Sequence, residues 1–264
     1  MIDTHCHLCD RRFDRDRAEV LERAHRAGVT RLVEIAYAPA IVPQARALAA
    51  GHPDVYLCVG VHPGESARVP EAYAGELRGH AGHPRVVAIG ETGLDFYRDA
   101  APRADQERWF RAQLAIAETL GLPVVIHQRA ALEETLAILE QTRPSAGGVL
   151  HCFDDGPRAV ERACRLGFKL GLGGCLTYGH PALDEAVRMA PAEMLVLETD
   201  APYLEPEPRS LRRNEPALLT RVVARLCALR SWSAEEAVRL TTANARALFR
   251  FPLADGALPL SGRA

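Results

Sequence analysis

The sequence predicts a single-domain α/β fold, a (β/α)8 or TIM barrel in which eight parallel strands alternate with helices. Short apolar segments rich in Val, Ile and Leu alternate with segments of helical spacing, a rhythm typical of parallel strands buried on both faces. Eight such units in roughly 250 residues is the usual size of this barrel, and the chain has 264 residues. No linker divides it, so we expect one domain over residues 1–251 and a loose C-terminal tail over 252–264.

In the first half of the chain, short apolar runs predict the strands and helical periodicity predicts the helices. The segment 16–27 carries Val20, Leu21 and Ala24 at helical spacing and stops at Gly28, a typical helix C-terminal signal. The clearest amphipathic segment is 105–120. The predicted order is strand 2–7, helix 16–27, strand 31–36, helix 39–50, strand 55–61, helix 71–80, strand 86–90 and helix 105–120.

The second half of the chain continues the same alternation, and two consecutive helices complete the core. The run Pro123-Val-Val-Ile126 predicts the fifth strand, and Gly167 closes the helix that precedes the seventh. The predicted order is strand 123–126, helix 132–141, strand 148–150, helix 157–166, strand 168–172, helix 182–189, strand 194–198, and helices 215–229 and 234–249.

A doubly wound open sheet is the alternative architecture, and the positions of the polar residues argue against it. No Gly-x-Gly-x-x-Gly motif follows the first strand. Histidines and carboxylates instead follow strands one, three, four, five, six and eight. Only a closed sheet brings all six strand ends to one mouth, where barrel enzymes place their active sites.

The overall composition narrows the function classes. The net charge is −2, and Lys169 is the one lysine among 32 basic residues, which argues against a broad basic face that coats nucleic acid. It leaves open an enzyme that binds a few phosphates in a pocket. No apolar run reaches the ~18–20 residues of a membrane helix, and seven scattered cysteines indicate reduced thiols. We therefore expect a cytoplasmic protein with no membrane association and no obligate protein partner.

The first strand carries two histidines, His5 and His7, separated by one residue. Side chains at positions i and i+2 of a strand share a face. Paired imidazoles are poor core elements because each carries a donor and an acceptor, but they are good ligands for divalent metals. An isolated pair of this kind could equally be a solvated N-terminal segment.

Further candidate ligands follow four of the other strands, and together they predict a metal centre. His127 or His151 alone would more often be a hydrogen-bonded core histidine. One ion with an open coordination position usually takes three protein ligands, so the full set suits two ions bridged by a carboxylate. Glu91 is the expected bridge, and Asp200 is expected to bind one metal and to orient or deprotonate water. The predicted ligands are His5, His7, Glu91, His127, His151 and Asp200.

Seven motifs, in order along the chain, resemble the TatD family of metal-dependent deoxyribonucleases within the amidohydrolase-like barrels. They are Asp3-Thr-His-Cys-His7, Gly60-Val-His-Pro63, Gly90-Glu-Thr-Gly-Leu-Asp95, His127-Gln-Arg129, His151-Cys-Phe153, Thr199-Asp-Ala-Pro-Tyr-Leu204 and Arg213-Asn-Glu-Pro216. The resemblance covers residues 2–250. It implies a two-metal hydrolase that cleaves DNA phosphodiester bonds as a 3′–5′ exonuclease on single strands. The histidine-rich ligand set itself favours Zn or Mn, with Mg the alternative by abundance in the cell.

The resemblance also implies roles for individual residues. His5, His7, Glu91 and Asp200 would bind one metal, and Glu91, His127 and His151 the other. His62 and Arg129 would face substrate phosphate, and a guanidinium can bind phosphate in bidentate fashion. Tyr203 and Asn214 would shape the mouth and contact substrate, and Asp95 would orient a ligand histidine.

Two departures from the family pattern and two alternative functions accompany this prediction. Asp154 and Asp155 stand where the family has Ser, Thr or small residues, and Ala130 stands where it often has Asp. Acids that point into the mouth would repel a polyanion.

A small-molecule amidohydrolase or phosphoesterase could use the same metal pair, and a metal-binding scaffold without catalysis is the third hypothesis. Lys169 begins the seventh strand, too far from the mouth to bridge metals as a carboxylated lysine.

Overall fold

A computed structural model describes residues 1–209 and 213–252, and in it eight parallel strands form one sheet in sequence order. Each strand is hydrogen-bonded to the next one along the chain, which is the order of the predicted barrel. The strands are β1 (Ile2–Cys6), β2 (Arg31–Ala36), β3 (Val55–Val59), β4 (Val86–Asp95), β5 (Val124–Arg129), β6 (Gly148–Leu150), β7 (Phe168–Leu172) and β8 (Leu195–Leu197).

The first and last strands meet and close the sheet into a barrel. Cys6 and Ala201 form a parallel bridge. The backbone N–H of Asp200 donates to the carbonyl of His5 at 2.9 Å, and that of His7 donates to the carbonyl of Ala201 at 2.7 Å. These bonds exclude the open doubly wound sheet and confirm the barrel. They also bring two predicted ligand segments, from opposite ends of the sequence, into direct contact.

The helices surround the sheet and bury its outer face. They are α1 (Arg17–Arg26), α2 (Val42–Gly51), α3 (Tyr73–Ala81), α4 (Arg103–Leu120), α5 (Leu132–Thr142), α6 (Pro157–Leu166), α7 (Pro181–Met189), α8 (Leu219–Arg230) and α9 (Ala234–Phe249). Within the part of the chain that the structure describes, no helix is both long and apolar enough to cross a membrane.

Two layers of apolar side chains form the core. One lies between the strands and the helices, and the other fills the barrel interior with small and branched residues such as Val33, Val125 and Val196. Leu248 and Phe249, at the end of α9, pack against this inner layer. The inner layer therefore leaves the opposite end, the C-terminal mouth of the strands, for polar residues.

The fourth strand is longer than predicted, because Gly90 does not end it. β4 continues to Asp95, so Glu91 and Asp95 lie within the strand. Gly90 and Gly93 have φ of +148° and +135°, and a Cβ at either position would collide with the backbone of β5. Glycine here permits close strand pairing.

The predicted tail is only partly described. Residues 253–264 lie outside the described residues, as do residues 210–212. Pro252, at the start of the predicted tail, accepts a hydrogen bond from the Tyr56 hydroxyl at 3.2 Å.

Candidate metal centre

The six predicted ligands converge at the C-terminal mouth of the barrel and form two neighbouring groups. In the first group, Nε2 of His7 lies 3.2 Å from Oδ1 of Asp200, and Nε2 of His5 lies 3.6 Å from the same oxygen. The two Nε2 atoms are 3.3 Å apart. Their three donor atoms thus face one point.

The second group contains Glu91, His127 and His151. Oε1 of Glu91 lies 2.8 Å from Nδ1 of His127 and 3.2 Å from Nε2 of His151. The other oxygen of Glu91, Oε2, lies 3.6 Å from Nε2 of His5 in the first group. Glu91 therefore stands between the two groups, and its role as a bridging ligand stays a prediction.

The residues present fit divalent metal ions. Each group of three offers donor atoms within 4.8 Å of one another, and His5, His7, Glu91 and His151 are buried. Mixed imidazole and carboxylate ligands suit zinc, manganese and related ions. Buried imidazoles packed against one another, such as the stacked rings of His5 and His151 with centres 3.8 Å apart, would be a costly arrangement without a shared cation.

The electrostatics of the centre hold its carboxylates ionised. Burial alone would raise the pKa of Glu91, but the histidines around it, His151 and His62 above all, hold that pKa well below its usual range. Burial opposes protonation of His151, yet Glu91 and Glu198 raise its pKa well above the usual value. Asp200 likewise keeps a lowered pKa despite burial, because His7 and His151 face it. Such a site is negatively charged when its histidines are neutral, which favours cations.

The backbone at Asp200 sets the direction of its carboxylate. Asp200 has φ of +56°, in the left-handed region that Asp visits more readily than most residues. Its N–H donates to the His5 carbonyl, and its carbonyl accepts from the N–H of Tyr203 at 2.8 Å. The residue is thus fixed on both sides of its Cα.

Asp95 supports His127, as the resemblance implied. Its Oδ2 lies 3.2 Å from Nε2 of His127, and its Oδ1 accepts from the N–H groups of Tyr97 and Arg98 at 3.0 and 2.8 Å. Burial would raise the pKa of Asp95, but the bonds to His127 and Arg98 lower it to about 2. A carboxylate that orients an imidazole in this way is common around metals.

Glu198 is a supporting residue that sequence reasoning missed. It is fully buried, and its Oε1 lies 3.3 Å from Nδ1 of His151 and accepts from the N–H of Cys152 at 2.5 Å. A Cβ at position 171 would collide with this carboxylate, so Gly171 provides the space it occupies. An acid at the end of an otherwise apolar strand was the signal that could have identified it.

Two further buried acids hold the first strand in place. The carboxylate of Asp3 accepts from the N–H and the hydroxyl of Thr199 at 3.0 and 2.6 Å, and burial raises the pKa of Asp3 to about 7. Glu34 accepts from the N–H groups of Leu8 and Cys9 at 2.5 and 3.2 Å. Sequence reasoning did not identify either role. Both acids fix backbone next to metal-ligand candidates.

His62 reaches the centre from β3 with a defined tautomer. Its Nδ1 accepts the N–H of Gly64 at 2.9 Å, so in the neutral ring the proton is on Nε2. That Nε2 lies 3.7 Å from Oε1 of Glu91. Burial lowers the pKa of His62 to about 4, which keeps the ring neutral at pH 7. His62 therefore presents a donor, rather than a ligand lone pair, to the mouth.

The other predicted substrate residues fall into two kinds. Arg129 and Tyr203 are exposed at the mouth: the Arg129 guanidinium lies 4.1 Å from the centre of the Tyr97 ring, and the Tyr203 ring lies 5.7 Å from that of His7. Asn214 is fully buried, and its amide donates to the carbonyls of Thr199 and Tyr203, each at 2.7 Å. Asn214 thus holds the loop after β8 and does not face the mouth.

The two unusual acids differ in their surroundings. Asp155 is partly buried and accepts from the amide of Gln128 at 2.6 Å, and burial with the neighbouring Asp154 raises its pKa to about 6. Asp154 is an exposed residue, but neighbouring protein shields its carboxyl group in part from water, and this desolvation raises its pKa against the attraction of Arg129. Asp154 is the acid closer to open solvent.

The chain matches one known protein family over nearly its whole length. The profile of the family described as TatD related DNase matches residues 2–250. The chain belongs to this family. It is 34% identical to the uncharacterized metal-dependent hydrolase YabD of Bacillus subtilis, over 95% of this chain and 99% of the relative. It is 38% identical to the 3'-5' ssDNA/RNA exonuclease TatD of Pantoea vagans, again over 95% and 99%.

Solved structures extend this comparison. The TatD homologue YJJV from Escherichia coli has a TM-score of 0.91 and 31% identity, covering 96% of this chain and 98% of its own. The organophosphorus hydrolase from Deinococcus radiodurans, at a TM-score of 0.63 and 17% identity, shares the fold alone. The predicted family and fold are confirmed, and this TatD-family chain is a metal-dependent hydrolase.

Proposed function

We propose that the chain is a two-metal 3′–5′ exonuclease that hydrolyses phosphodiester bonds of single-stranded DNA. The observation that carries this proposal is the position of Glu91, with one carboxylate oxygen toward each group of ligands. The relatives named 3'-5' ssDNA/RNA exonuclease support the substrate class, and their names make single-stranded RNA a second substrate to test.

In this proposal the two groups of donors bind separate ions. His5, His7 and Asp200 would hold one, His127 and His151 would hold the other, and Glu91 would contribute to both. When bound, two divalent ions such as Mg, Mn or Zn supply Lewis-acid activation of water and charge stabilisation at the leaving oxygen. The carboxylates of Asp95 and Glu198 contact the ring nitrogens of His127 and His151 that face away from the ions, and so fix the orientation of the two rings.

Asp200 is the proposed general base. Its carboxylate has a lowered pKa and lies at the edge of the centre, where it can orient a water and accept its proton at Oδ2. The water oxygen would form the new bond to phosphorus as the bond from phosphorus to the leaving sugar oxygen breaks, and that oxygen would take up a proton from solvent. General-base catalysis contributes typically 10²–10⁴-fold.

His62 and Arg129 are the proposed phosphate-binding residues. His62 would donate from Nε2 to a non-bridging phosphate oxygen, because its Nδ1 is already engaged by Gly64. Arg129 forms no ion pair within residues 1–209 and 213–252, so its N–H groups are available to a substrate anion. Tyr203 would border the substrate, and Asn214 would act only through the loop it holds.

A small-molecule phosphoesterase or amidohydrolase is the second candidate function, and Asp154 favours it. Arg129 and His151 act on its carboxyl group and lower its pKa against the loss of hydration, which places this acid near the mouth. A carboxylate in that position repels a polyanion more than it repels a small neutral or singly charged substrate.

We also propose that the enzyme acts in the cytoplasm and without an obligate protein partner. All seven cysteines are free, and four of them are buried, which suits a reducing compartment. Every ligand in the two groups comes from one chain, so the centre requires no second subunit to supply a donor.

The decisive experiment uses single-stranded DNA labelled at its 5′ end, with Mg²⁺, Mn²⁺ and Zn²⁺ tested separately. We expect a ladder that shortens from the 3′ end, and a loss of at least 10³-fold in the Asp200→Asn variant. An RNA of the same sequence and a small chromogenic phosphodiester run in parallel. Intact oligonucleotides together with hydrolysis of the small diester would overturn the exonuclease proposal in favour of the small-molecule function.

A further inference from the structure

We propose that two arginine–tyrosine stacks on opposite sides of the mouth bind the nucleobases that flank the scissile phosphodiester. The Tyr97 platform consists of Tyr97 and Arg129, and the Tyr203 platform consists of Tyr203 and Arg12. This inference rests on the proposed nuclease function and specifies how an unpaired strand is held across the metal centre.

The Tyr97 platform is an exposed ring backed by a cation. The Tyr97 side chain is 68% exposed, although it lies only two residues beyond the buried strand β4. The Arg129 guanidinium lies 4.1 Å from the ring centre, in the position of a cation–π contact. One face of the ring is therefore covered and the remainder is open to solvent. An exposed tyrosine held in this way is a surface on which a base can stack.

The Tyr97 platform is anchored to the metal centre by one carboxylate. Asp95 accepts the N–H of Tyr97 at 3.0 Å with Oδ1, and its Oδ2 lies 3.2 Å from Nε2 of His127. The carbonyl of Arg129 accepts the N–H of Phe96 at 2.9 Å. The backbone that carries the ring is thus fixed relative to a proposed metal ligand, and the Arg129 guanidinium lies against the ring itself.

The Tyr203 platform is also a tyrosine with an arginine over its ring, but here the arginine is paired with Asp10 at 2.9 Å. The Tyr203 side chain is 39% exposed, and the Arg12 guanidinium lies 4.2 Å from its ring centre. Its N–H donates to the carbonyl of Asp200 at 2.8 Å, and its ring lies edge-on to His7 at 5.7 Å. This ring too is tied directly to residues of the metal centre.

The strand order places the two platforms across the mouth from each other. Tyr97 follows β4 and Arg129 ends β5, whereas Arg12 follows β1 and Tyr203 follows β8. In a closed barrel of eight strands in sequence order, the β4–β5 edge is diametrically opposite the β8–β1 edge. The proposed ligands lie between them. A strand that crosses the centre therefore meets one ring on each side.

Stacking platforms also define the substrate class. Every base has a π-face, so stacking tolerates any sequence, and it does not read the 2′-hydroxyl. Bases in a duplex are already stacked on their neighbours, so they cannot stack on the ring of a tyrosine. The platforms therefore predict an enzyme that accepts unpaired DNA and RNA of any sequence and discriminates against blunt duplex ends.

The test combines ring variants with substrates that lack a base. Tyr97→Ala and Tyr203→Ala are placed in the Asp200→Asn background, and binding of a fluorescein-labelled 12-nucleotide single strand is measured by anisotropy with Mn²⁺. We expect each variant to bind about tenfold more weakly, the factor that ~1.4 kcal/mol of lost stacking gives. Tyr97→Phe and Tyr203→Phe keep the ring and should bind within about twofold of the parent.

Oligonucleotides with an abasic residue at the 3′-terminal or the penultimate position identify which base each ring receives. If a platform binds one base, replacing its tyrosine with alanine weakens binding of the intact strand. The same replacement has little effect on binding of a strand that already lacks that base. We expect the two variants to respond to different abasic positions. Trp232→Ala is the matched control, because it removes an arginine–aromatic stack in the loop between α8 and α9, away from the mouth, and should leave binding unchanged.

Two results would overturn the platforms. One is unchanged binding of the intact strand by both alanine variants, and the other is an equal loss on intact and abasic strands. Failure of the proposed function is a separate result, because it is measured by cleavage and not by binding. If the enzyme with native Asp200 binds the strand through Tyr97 but does not cleave it, the platforms exist and the nuclease activity does not.

Discussion

Oε1 of Glu198 lies 3.3 Å from Nδ1 of His151, while Nε2 of the same ring lies 3.2 Å from Oε1 of Glu91. His151 is therefore held between two carboxylates, one in the centre and one behind it. The rear carboxylate is fully buried in the space that Gly171 leaves. Carboxylates in this position orient the imidazole and increase its basicity as a ligand.

We expect Glu198→Gln to weaken metal binding about 10- to 100-fold with little change in fold, since the variant keeps the shape of the side chain. Isothermal titration calorimetry with Mn²⁺ measures the effect directly, and circular dichroism checks the fold. Glu193→Gln, an exposed acid just before β8, is the control. Unchanged metal affinity would remove Glu198 from the support of His151.

The sequence predicted most accurately the bounds of those helices and strands that have a strong local signal at each end. Strand 168–172 and helices 157–166 and 234–249 have the same bounds in the structure, because glycine or serine marks their ends. β4 was predicted too short, because glycine usually interrupts a strand. At Gly90 it instead permits the close approach of β5, a tertiary contact that no local pattern contains.

In the candidate site, too, local patterns identified some residues and missed those that depend on distant partners. Its six proposed ligands were found because each directly follows or lies in an apolar strand, and the barrel brings strand ends together. Supporting residues depend on partners far along the chain. Asp3 binds Thr199, 196 residues away, and Glu198 faces His151. The local sequence marks Glu198 only as an acid at the end of an apolar strand. It indicates neither of these pairings, nor that Asn214 turns inward.

His62→Ala should reduce kcat/KM for phosphodiesters about 10- to 100-fold while leaving metal affinity within about twofold. The reason is the tautomer: Nδ1 is occupied by the N–H of Gly64, so Nε2 donates and offers no lone pair to a metal. Kinetics and metal titration on the same preparation separate the two roles. A tenfold loss of metal affinity would instead make His62 a ligand.

Arg129→Ala should raise KM for an oligonucleotide more than for a small chromogenic phosphodiester, because only the longer substrate places several phosphates along the mouth. Loss of one phosphate contact also lowers the slope of log KM against log salt by about 0.7 for a single strand. Arg98→Ala is the matched control, since it removes the same charge from the neighbouring exposed loop. Equal effects on both substrates would contradict phosphate binding by Arg129.

The last prediction concerns the loop after β8, which an ion-pair group ties to α1. The carboxylate of Asp16 accepts from Arg213 at 2.8 and 2.7 Å and from Arg23 at 3.0 Å. Arg23 also donates to Glu215 at 2.7 Å. The bond from Arg213, above all, lowers the pKa of Asp16 from its ordinary 3.8 to about 2.

A carboxylate with a depressed pKa stabilises the folded state above its unfolded pKa and loses that effect as pH falls through the folded value. We expect Asp16→Asn to lower Tm at pH 7 by about 2–4 °C, the shift that ~1 kcal/mol produces in a domain of this size. The difference should persist down to about pH 4 and shrink toward pH 2. Thermal melts from pH 7 to 2.5 test this, with Asp14→Asn, whose carboxylate is 57% exposed, as the control. A difference in Tm that stays constant across the whole range would show that Asp16 acts through packing and not through its charge.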